Sequence, residues 1–196
     1  MDVSLSYECF WEGASTAAHK AMDDHARGEY DEFALHGGVA VERLAKAVLV
    51  SKNPIYIAEL LGSTEMLFHL GGDRAAGKVR TIGAAEALAR LRTLDVLGAD
   101  KQLDLLIDVR NGVAHTTSAE QAKSLMPVLA QTVETLPRMS IARWSRSGDV
   151  GRRPPAWPWT TNAVGCIAMY RFVSGRLGMP LKTASRGCLR GRRSGP

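Results

Sequence analysis

Apolar residues in the first two thirds of the chain recur at intervals of three and four, the spacing of one buried helix face. The clearest stripe lies in a segment that we expect to be helical over residues 31–51; it consists of Val41, Leu44, Ala45 and Val48. No segment shows the sustained two-residue alternation of a half-buried strand. The pattern predicts an all-α protein, an antiparallel helical bundle, because the connections between the helices are short.

Capping residues, glycines and prolines predict the helix ends. The predicted helices cover residues 7–27, 31–51, 55–61, 64–70, 84–97, 101–116 and 118–136. Gly28 allows a break after the first helix, and Thr81 is a candidate N-cap for the helix that starts at residue 84. Ser118 is expected to cap the last helix and Pro137 to stop it. Pro127 lies inside that helix and should kink it.

Two local features of the second predicted helix concern its neighbours. Glu42 and Lys46 are four residues apart, so they can form an ion pair on one face. Gly37 and Gly38 each cost about 1 kcal/mol of helix propensity. We therefore expect either a kink at this pair or a close contact with a neighbouring helix.

The composition changes abruptly at Pro137. Residues 137–196 contain twelve basic residues and one acidic residue, a net charge of +11, whereas residues 1–136 contain thirteen basic and nineteen acidic residues, a net charge of −6. We therefore expect a helical domain over residues 4–136 and an irregular, basic tail rich in Arg, Gly, Pro and Trp over residues 137–196. The tail is either a poorly ordered segment that binds RNA by charge and stacking, or an out-of-frame translation of a GC-rich gene.

Several classes of protein do not fit the sequence. Cys9, Cys166 and Cys188 are far apart and form no CxxC pair, so neither a zinc site nor a disulfide framework is expected. The longest apolar runs are a few residues long, whereas a membrane span needs about 20. The first residues lack the basic and then apolar pattern of a secretory signal. We expect a cytoplasmic protein with no membrane contact, metal or cofactor.

The segment over residues 103–115 carries the candidate chemistry. One side of an ideal helix collects its polar residues, Asp104, Asp108, Asn111 and His115. Another side collects apolar residues, namely Leu103, Leu106, Ile107, Val113 and Ala114. Arg110 falls among these apolar residues. A guanidinium is always charged in proteins, so Arg110 needs a route to water or a carboxylate from another helix, such as Glu42.

The arrangement Arg110-Asn111-(three residues)-His115 resembles the RNxxxH form of the R-x4–6-H motif of the HEPN superfamily. These are small all-α domains of prokaryotic defence and toxin systems and of some eukaryotic ribonucleases. The motif lies near the end of an apolar predicted helix, and another predicted helix follows directly. Residues 37–50 look like the second helix of many members. The resemblance covers about residues 4–136.

The resemblance implies a metal-independent endoribonuclease that cleaves RNA by attack of the ribose 2′-OH on the adjacent phosphate. His115 would move protons, Arg110 would stabilise charge on the phosphate, and Asn111 would orient the phosphate or His115. Arg110 and His115 point roughly 140° apart on an ideal helix. The family brings two such motifs together in a homodimer, and its toxins act beside an antitoxin partner.

Two other interpretations stay open. The chain is a non-catalytic HEPN-like module that binds nucleic acid or regulates, or it is a helical protein in which the motif arose by chance. The charge of −6 over residues 1–136 disfavours RNA binding unless a local basic patch compensates. The candidates for such a patch are Arg43, Lys46, Arg90 and Arg92, although a solvated helix face is the simpler role for each.

Overall fold

The computed structural model describes residues 3–60, 64–113 and 119–144. Within these residues the chain forms seven α-helices: α1 Tyr7–Arg27, α2 Tyr30–Lys52, α3 Glu65–Gly71, α4 Ala84–Thr93, α5 Lys101–Val113, α6 Ala119–Lys123 and α7 Met126–Trp144. Two 3-10 turns, Val3–Leu5 and Pro54–Ile57, accompany them. The β-type pairing in this described part is one isolated bridge between Ala58 and Thr81. The prediction of an all-α helical bundle is confirmed.

The first two helices form an antiparallel hairpin, and α1 has the predicted bounds. Gly28 ends α1 at φ 79°, a left-handed conformation that glycine adopts without steric cost. The buried carboxylate of Asp24 accepts a hydrogen bond from Arg27, and its other oxygen lies 2.5 Å from Nδ1 of His36 on α2. These contacts fasten the end of α1 to the start of α2.

Helix α2 is the central element, since it packs against α1, α4, α5, α6 and α7. Its predicted apolar stripe is buried in full: Val41, Leu44, Ala45 and Val48. The burial extends without a gap over residues 44–50, as a helix surrounded by others requires. Lys46 is the one charged residue in that stretch, so its ammonium group must find partners within the fold.

Gly37 and Gly38 let two other helices approach α2 closely. A Cβ atom on Gly38 would lie 2.5 Å from Cγ and 2.7 Å from Cβ of Arg110 in α5. A Cβ atom on Gly37 would lie 3.2 Å from a terminal methyl of Leu129 in α7. Because α2 runs as one continuous helix through both glycines, the close contact is the correct alternative for this pair.

We expect Gly38→Ala to destabilise the fold and Gly37→Ala to leave it nearly unchanged. The clash at Gly38 involves the root of the Arg110 side chain, which cannot move without the α5 backbone. Overpacking of this kind costs about 1–3 kcal/mol. The clash at Gly37 involves a flexible side-chain end, and alanine gains up to about 1 kcal/mol of helix propensity. Urea unfolding followed by circular dichroism measures both, and equal losses would contradict the close packing of α5 on α2.

Both prolines of the last predicted helix were interpreted wrongly. A two-residue turn divides that segment into α6 and α7, and Pro127 lies in the first turn of α7, where its missing N–H is not needed. Pro137 does not stop α7, which continues to Trp144. Leu136 and Pro137 are both buried, so their packing offsets the backbone hydrogen bond that a proline removes.

The segment between α2 and α4 also departs from prediction. The expected helix over residues 55–61 is a shorter 3-10 turn, Pro54–Ile57. Gly83, and not Thr81, is the N-cap of α4. Thr81 pairs instead with Ala58 in the isolated bridge, and this extended pairing takes it away from the first turn of α4.

Parts of the sequence-based picture lie outside the described residues. These parts are Ala114, Ser118 and the predicted tail beyond Trp144. Among the helices that are described, none combines the length and the apolar character needed to cross a membrane.

Candidate functional site

Helix α5 presents its predicted polar and apolar sides as expected. Leu103, Leu106 and Ile107 are buried, whereas Asp104, Asp108 and Asn111 are exposed. Arg110 lies near the C-terminal end of α5, and its side chain is 26% exposed. His115 lies outside the described residues, so its role stays a prediction.

The carboxylate that partners Arg110 is Glu42 of α2, which the sequence offers as one example of a carboxylate from another helix. Nη2 of Arg110 donates to Oε2 of Glu42 at 3.2 Å, and Nη1 of Arg110 lies 3.3 Å from Oδ1 of Asn111. The contact depends on the absence of a side chain at Gly38, over which the methylene groups of Arg110 pass. The carboxylate of Glu42 thereby offsets the charge of Arg110 at the interface between α2 and α5.

A second cation shares the same carboxylate. Nζ of Lys46 donates to Oε1 of Glu42 at 2.7 Å and to Oγ1 of Thr81 at 3.0 Å, which confirms the predicted Glu42–Lys46 pair. Polar contacts therefore run continuously from α5 through α2 to the segment before α4. We call these five residues the Arg110 cluster: Arg110, Asn111, Glu42, Lys46 and Thr81.

The Arg110 cluster has an uneven distribution of charge and exposure. Two cations share one carboxylate, so one positive charge is in excess. Side-chain exposure falls from 26% at Arg110 through 18% at Glu42 to 8% at Lys46. Arg110 thus has the most exposed side chain of the three charged residues, and the two contacts of its guanidinium use two of its five N–H donors.

Most of the cations suggested for a basic patch are engaged inside the fold. Lys46 belongs to the Arg110 cluster, and two of the other three form ion pairs, Arg90 with Glu86 and Arg92 with Asp104. Arg43 is exposed on α2, beside Gly13. Three of the four charges are therefore offset by carboxylates, which weakens the case for a basic patch at these residues.

Sequence reasoning missed a group of exposed cations in the loop after α3. Arg74, Lys78 and Arg80 are all exposed. The signal was present in the sequence as three basic residues within seven positions that also include Gly77. It was overlooked because the surrounding acidic residues of the domain obscure a local excess of positive charge.

The described histidines make separate local contacts. Nε2 of His25 lies 3.3 Å from the carbonyl of Lys123, and Nδ1 of His69 accepts the backbone N–H of Ala76 at 3.2 Å. Within residues 3–60, 64–113 and 119–144, no three His, Cys, Asp or Glu side chains are grouped so that they could hold a metal ion.

Comparisons with protein-family models, with curated proteins and with solved structures return no match to this chain. The HEPN resemblance therefore rests on the sequence motif of Arg110, Asn111 and His115 and on the helix that carries Arg110 and Asn111. What the fold adds is the contact of Arg110 with Glu42 and the exposure of its guanidinium.

Proposed function

We propose that this chain is a metal-independent endoribonuclease that cleaves RNA by attack of the 2′-OH on the adjacent phosphate. The observation that carries this proposal is the Arg110 cluster, which has excess positive charge and in which Arg110, beside the exposed Asn111, has the most exposed side chain of the three charged residues. A phosphodiester is an anion that a guanidinium binds well, because two of its oxygens match the forked N–H donors.

Three residues of the cluster and His115 have distinct parts in the proposed reaction, and Asn111 orients the phosphate or His115 by hydrogen bonding. Arg110 stabilises the charge that develops on the phosphate oxygens as the 2′-oxygen bonds to phosphorus and the 5′-oxygen leaves. Glu42 orients the guanidinium, and Lys46 offsets the negative charge of Glu42, so the cluster does not repel the phosphate. His115 takes the 2′-hydroxyl proton and supplies a proton to the departing 5′-oxygen. The products are a 2′,3′-cyclic phosphate and a free 5′-hydroxyl.

The proposal includes a homodimer through α5. Arg110 and His115 are five residues apart, so a single ideal helix directs them roughly 140° from each other. One helix therefore cannot direct both side chains at the same phosphate. A second copy of α5 can, if the Arg110 of one protomer lies near the His115 of its partner. A cytoplasmic role in toxin action or antiviral defence, with an antitoxin as a further partner, belongs to the same proposal.

A non-catalytic module that binds nucleic acid or regulates is the second candidate. It is favoured by the ion pair with Glu42, because a carboxylate that already neutralises Arg110 is also what a purely structural arginine requires. This candidate differs from the first in one measurable respect, since it binds RNA and leaves it intact.

The test is cleavage of a fluorescent RNA by the purified 196-residue chain, with and without EDTA. We expect cutting that EDTA does not inhibit and products that end in 2′,3′-cyclic phosphate. A substrate of the same length and base sequence with 2′-deoxy sugars throughout should resist cleavage, because it lacks the attacking hydroxyl.

Two results would overturn the ribonuclease. Binding of RNA without cutting in any buffer favours the non-catalytic module. Cutting of the 2′-deoxy substrate excludes attack by the 2′-OH. A His115→Ala protein purified in the same way serves as the control for contaminating nucleases.

A further inference from the structure

We infer that α3 and the loop after it form a surface that binds single-stranded RNA next to the Arg110 cluster. We call it the α3 surface; its residues are Phe68, Arg74, Lys78 and Arg80. That the ligand is RNA rests on the proposed function. Where the RNA lies rests on contacts within the described residues.

Side chains of α3 hold the loop in a defined shape. Oε1 of Glu65 accepts the backbone N–H of Gly77 at 2.7 Å, and Nδ1 of His69 accepts that of Ala76 at 3.2 Å. The sulfur of Met66 accepts the N–H of Arg80 at 3.3 Å. Three hydrogen bonds from one helix therefore fix the loop before any ligand arrives, which lowers the entropic cost of binding.

The fixed loop displays an excess of positive charge. Residues 72–81 contain three basic residues and one acidic residue, Asp73. Arg74, Lys78 and Arg80 are exposed, so each can reach a phosphate of a strand that crosses the loop. The nearby carboxylate of Glu65 is engaged by the backbone of the loop. A polyanion is the ligand that this charge favours.

The helix before this loop carries an exposed aromatic ring. Phe68 is 52% exposed on α3, and its backbone carbonyl accepts the N–H groups of Asp73 and Arg74, so the start of the loop lies against the backbone of Phe68. An exposed ring combined with cations is the arrangement that binds single-stranded nucleic acid, because unpaired bases stack on the ring while the cations follow the backbone. Duplex RNA offers no free base face for such a contact.

The α3 surface is continuous with the Arg110 cluster. Thr81 follows Arg80 directly, and its hydroxyl accepts the hydrogen bond from Lys46, which in turn binds Glu42. A strand that lies over Arg80 therefore lies next to Thr81, one end of the hydrogen-bond network that holds Arg110 at its other end. The structure assigns the α3 surface as the place where RNA outside the scissile phosphate is held.

Binding is measured with the full chain and a 2′-O-methyl oligouridine of about 12 nucleotides, which cannot be cleaved by 2′-OH attack. Each phosphate contact contributes about 0.7 to the slope of log affinity against log salt for a single strand. The triple variant Arg74→Ala, Lys78→Ala, Arg80→Ala should therefore lower that slope by about 2. Phe68→Ala should weaken binding about 10-fold and leave the slope unchanged, because stacking releases no counterions.

The matched control removes three exposed cations elsewhere through Lys20→Ala, Lys101→Ala and Lys123→Ala. It has the same net charge as the triple variant and should keep most of the slope. The basic residues after Trp144 are common to all variants, so they do not affect the comparison. An equal loss in both triple variants, with thermal unfolding unchanged, would mean that net charge alone attracts RNA and would overturn the inference.

Crosslinking gives a local readout. Oligouridine with 5-iodouracil bases, irradiated on the wild-type chain and digested, should attach to peptides within residues 65–80, with Phe68 as the main site. Crosslinks that occur solely in other segments would overturn the inference. So would a triple variant that loses binding to phosphatidylserine vesicles and keeps RNA binding, because the α3 surface would then contact a membrane.

The inference and the proposed ribonuclease can fail separately. Crosslinks at α3 without cleavage of natural RNA would support the binding surface and contradict the proposed ribonuclease. Cleavage of natural RNA with crosslinks elsewhere keeps the enzyme and removes the surface.

Discussion

Replacing His115 by alanine is expected to lower the rate of RNA cleavage by about 10²–10⁴-fold, the usual contribution of a positioned general acid or base. The helical projection of the sequence puts His115 on the polar side with Asp104, Asp108 and Asn111. Its removal should therefore leave the thermal unfolding midpoint within a few degrees of wild type. Single-turnover cleavage of a labelled RNA and a thermal melt measure the two effects.

Arg110→Ala should lower cleavage by about 10²–10³-fold, because it removes the group that stabilises developing charge on the phosphate. Arg110→Lys should not restore the rate. A lysine carries a point charge, and it cannot bind Glu42 and a phosphate through one planar fork as Arg110 can.

Asp108→Asn is the matched control on the same helix. Asp108 is exposed on the polar side of α5 and has no part in the proposed reaction, so its variant should cleave within about threefold of wild type. If His115→Ala cleaves as fast as Asp108→Asn, His115 is not in the mechanism. If Arg110→Ala unfolds while His115→Ala stays active, Arg110 is a structural residue.

Glu42→Ala is expected to be the most destabilising substitution in the Arg110 cluster, at about 2–4 kcal/mol. Its removal leaves two neighbouring cations, Arg110 and Lys46, without their shared carboxylate, and Lys46 is 8% exposed. Glu42→Gln should cost less, because the amide keeps a hydrogen-bond acceptor for one of them. Chemical unfolding gives both values.

Glu86→Ala provides the comparison for the Glu42 variant. Glu86 also pairs with a cation four residues later, Arg90, but its side chain is 54% exposed, so its loss should cost less than about 1 kcal/mol. A double-mutant cycle between Glu42 and Arg110 should give a coupling energy of about 1–3 kcal/mol. Equal losses of unfolding free energy for Glu42→Ala and Glu86→Ala would mean that the burial of the cluster does not strengthen its ion pairs.

Much of α5 could be predicted because helical geometry is local. A rotation of 100° per residue puts Leu103 and Leu106 inside and Asn111 outside, and the fold agrees. The same rule placed Arg110 on the packed side, and the fold supplies Glu42 there. Among the residues of α5 whose burial is described, the projection made the buried side too narrow, since Val109 is buried as well. How wide a buried arc must be depends on how many helices surround it.

Signals that compete with tertiary contacts were less reliable. Thr81 has the residue type of a helix cap, but its hydroxyl accepts from Lys46. Pro137 has the residue type of a helix stop, but its burial keeps it within α7. A hydrogen bond to a residue distant in sequence at Thr81, and burial at Pro137, outweigh local preferences worth about 1–3 kcal/mol.

The sequence by itself determined the helical class, the bounds of α1, the two sides of α5 and the Glu42–Lys46 pair, because each depends on residues within a few turns of one another. Tertiary structure decided which carboxylate neutralises Arg110 and which helix packs closely against Gly38. It also decided that the loop after α3 joins the Arg110 cluster through Thr81. These contacts depend on the packing of segments that are far apart in sequence. A local sequence pattern does not specify which distant segments pack together.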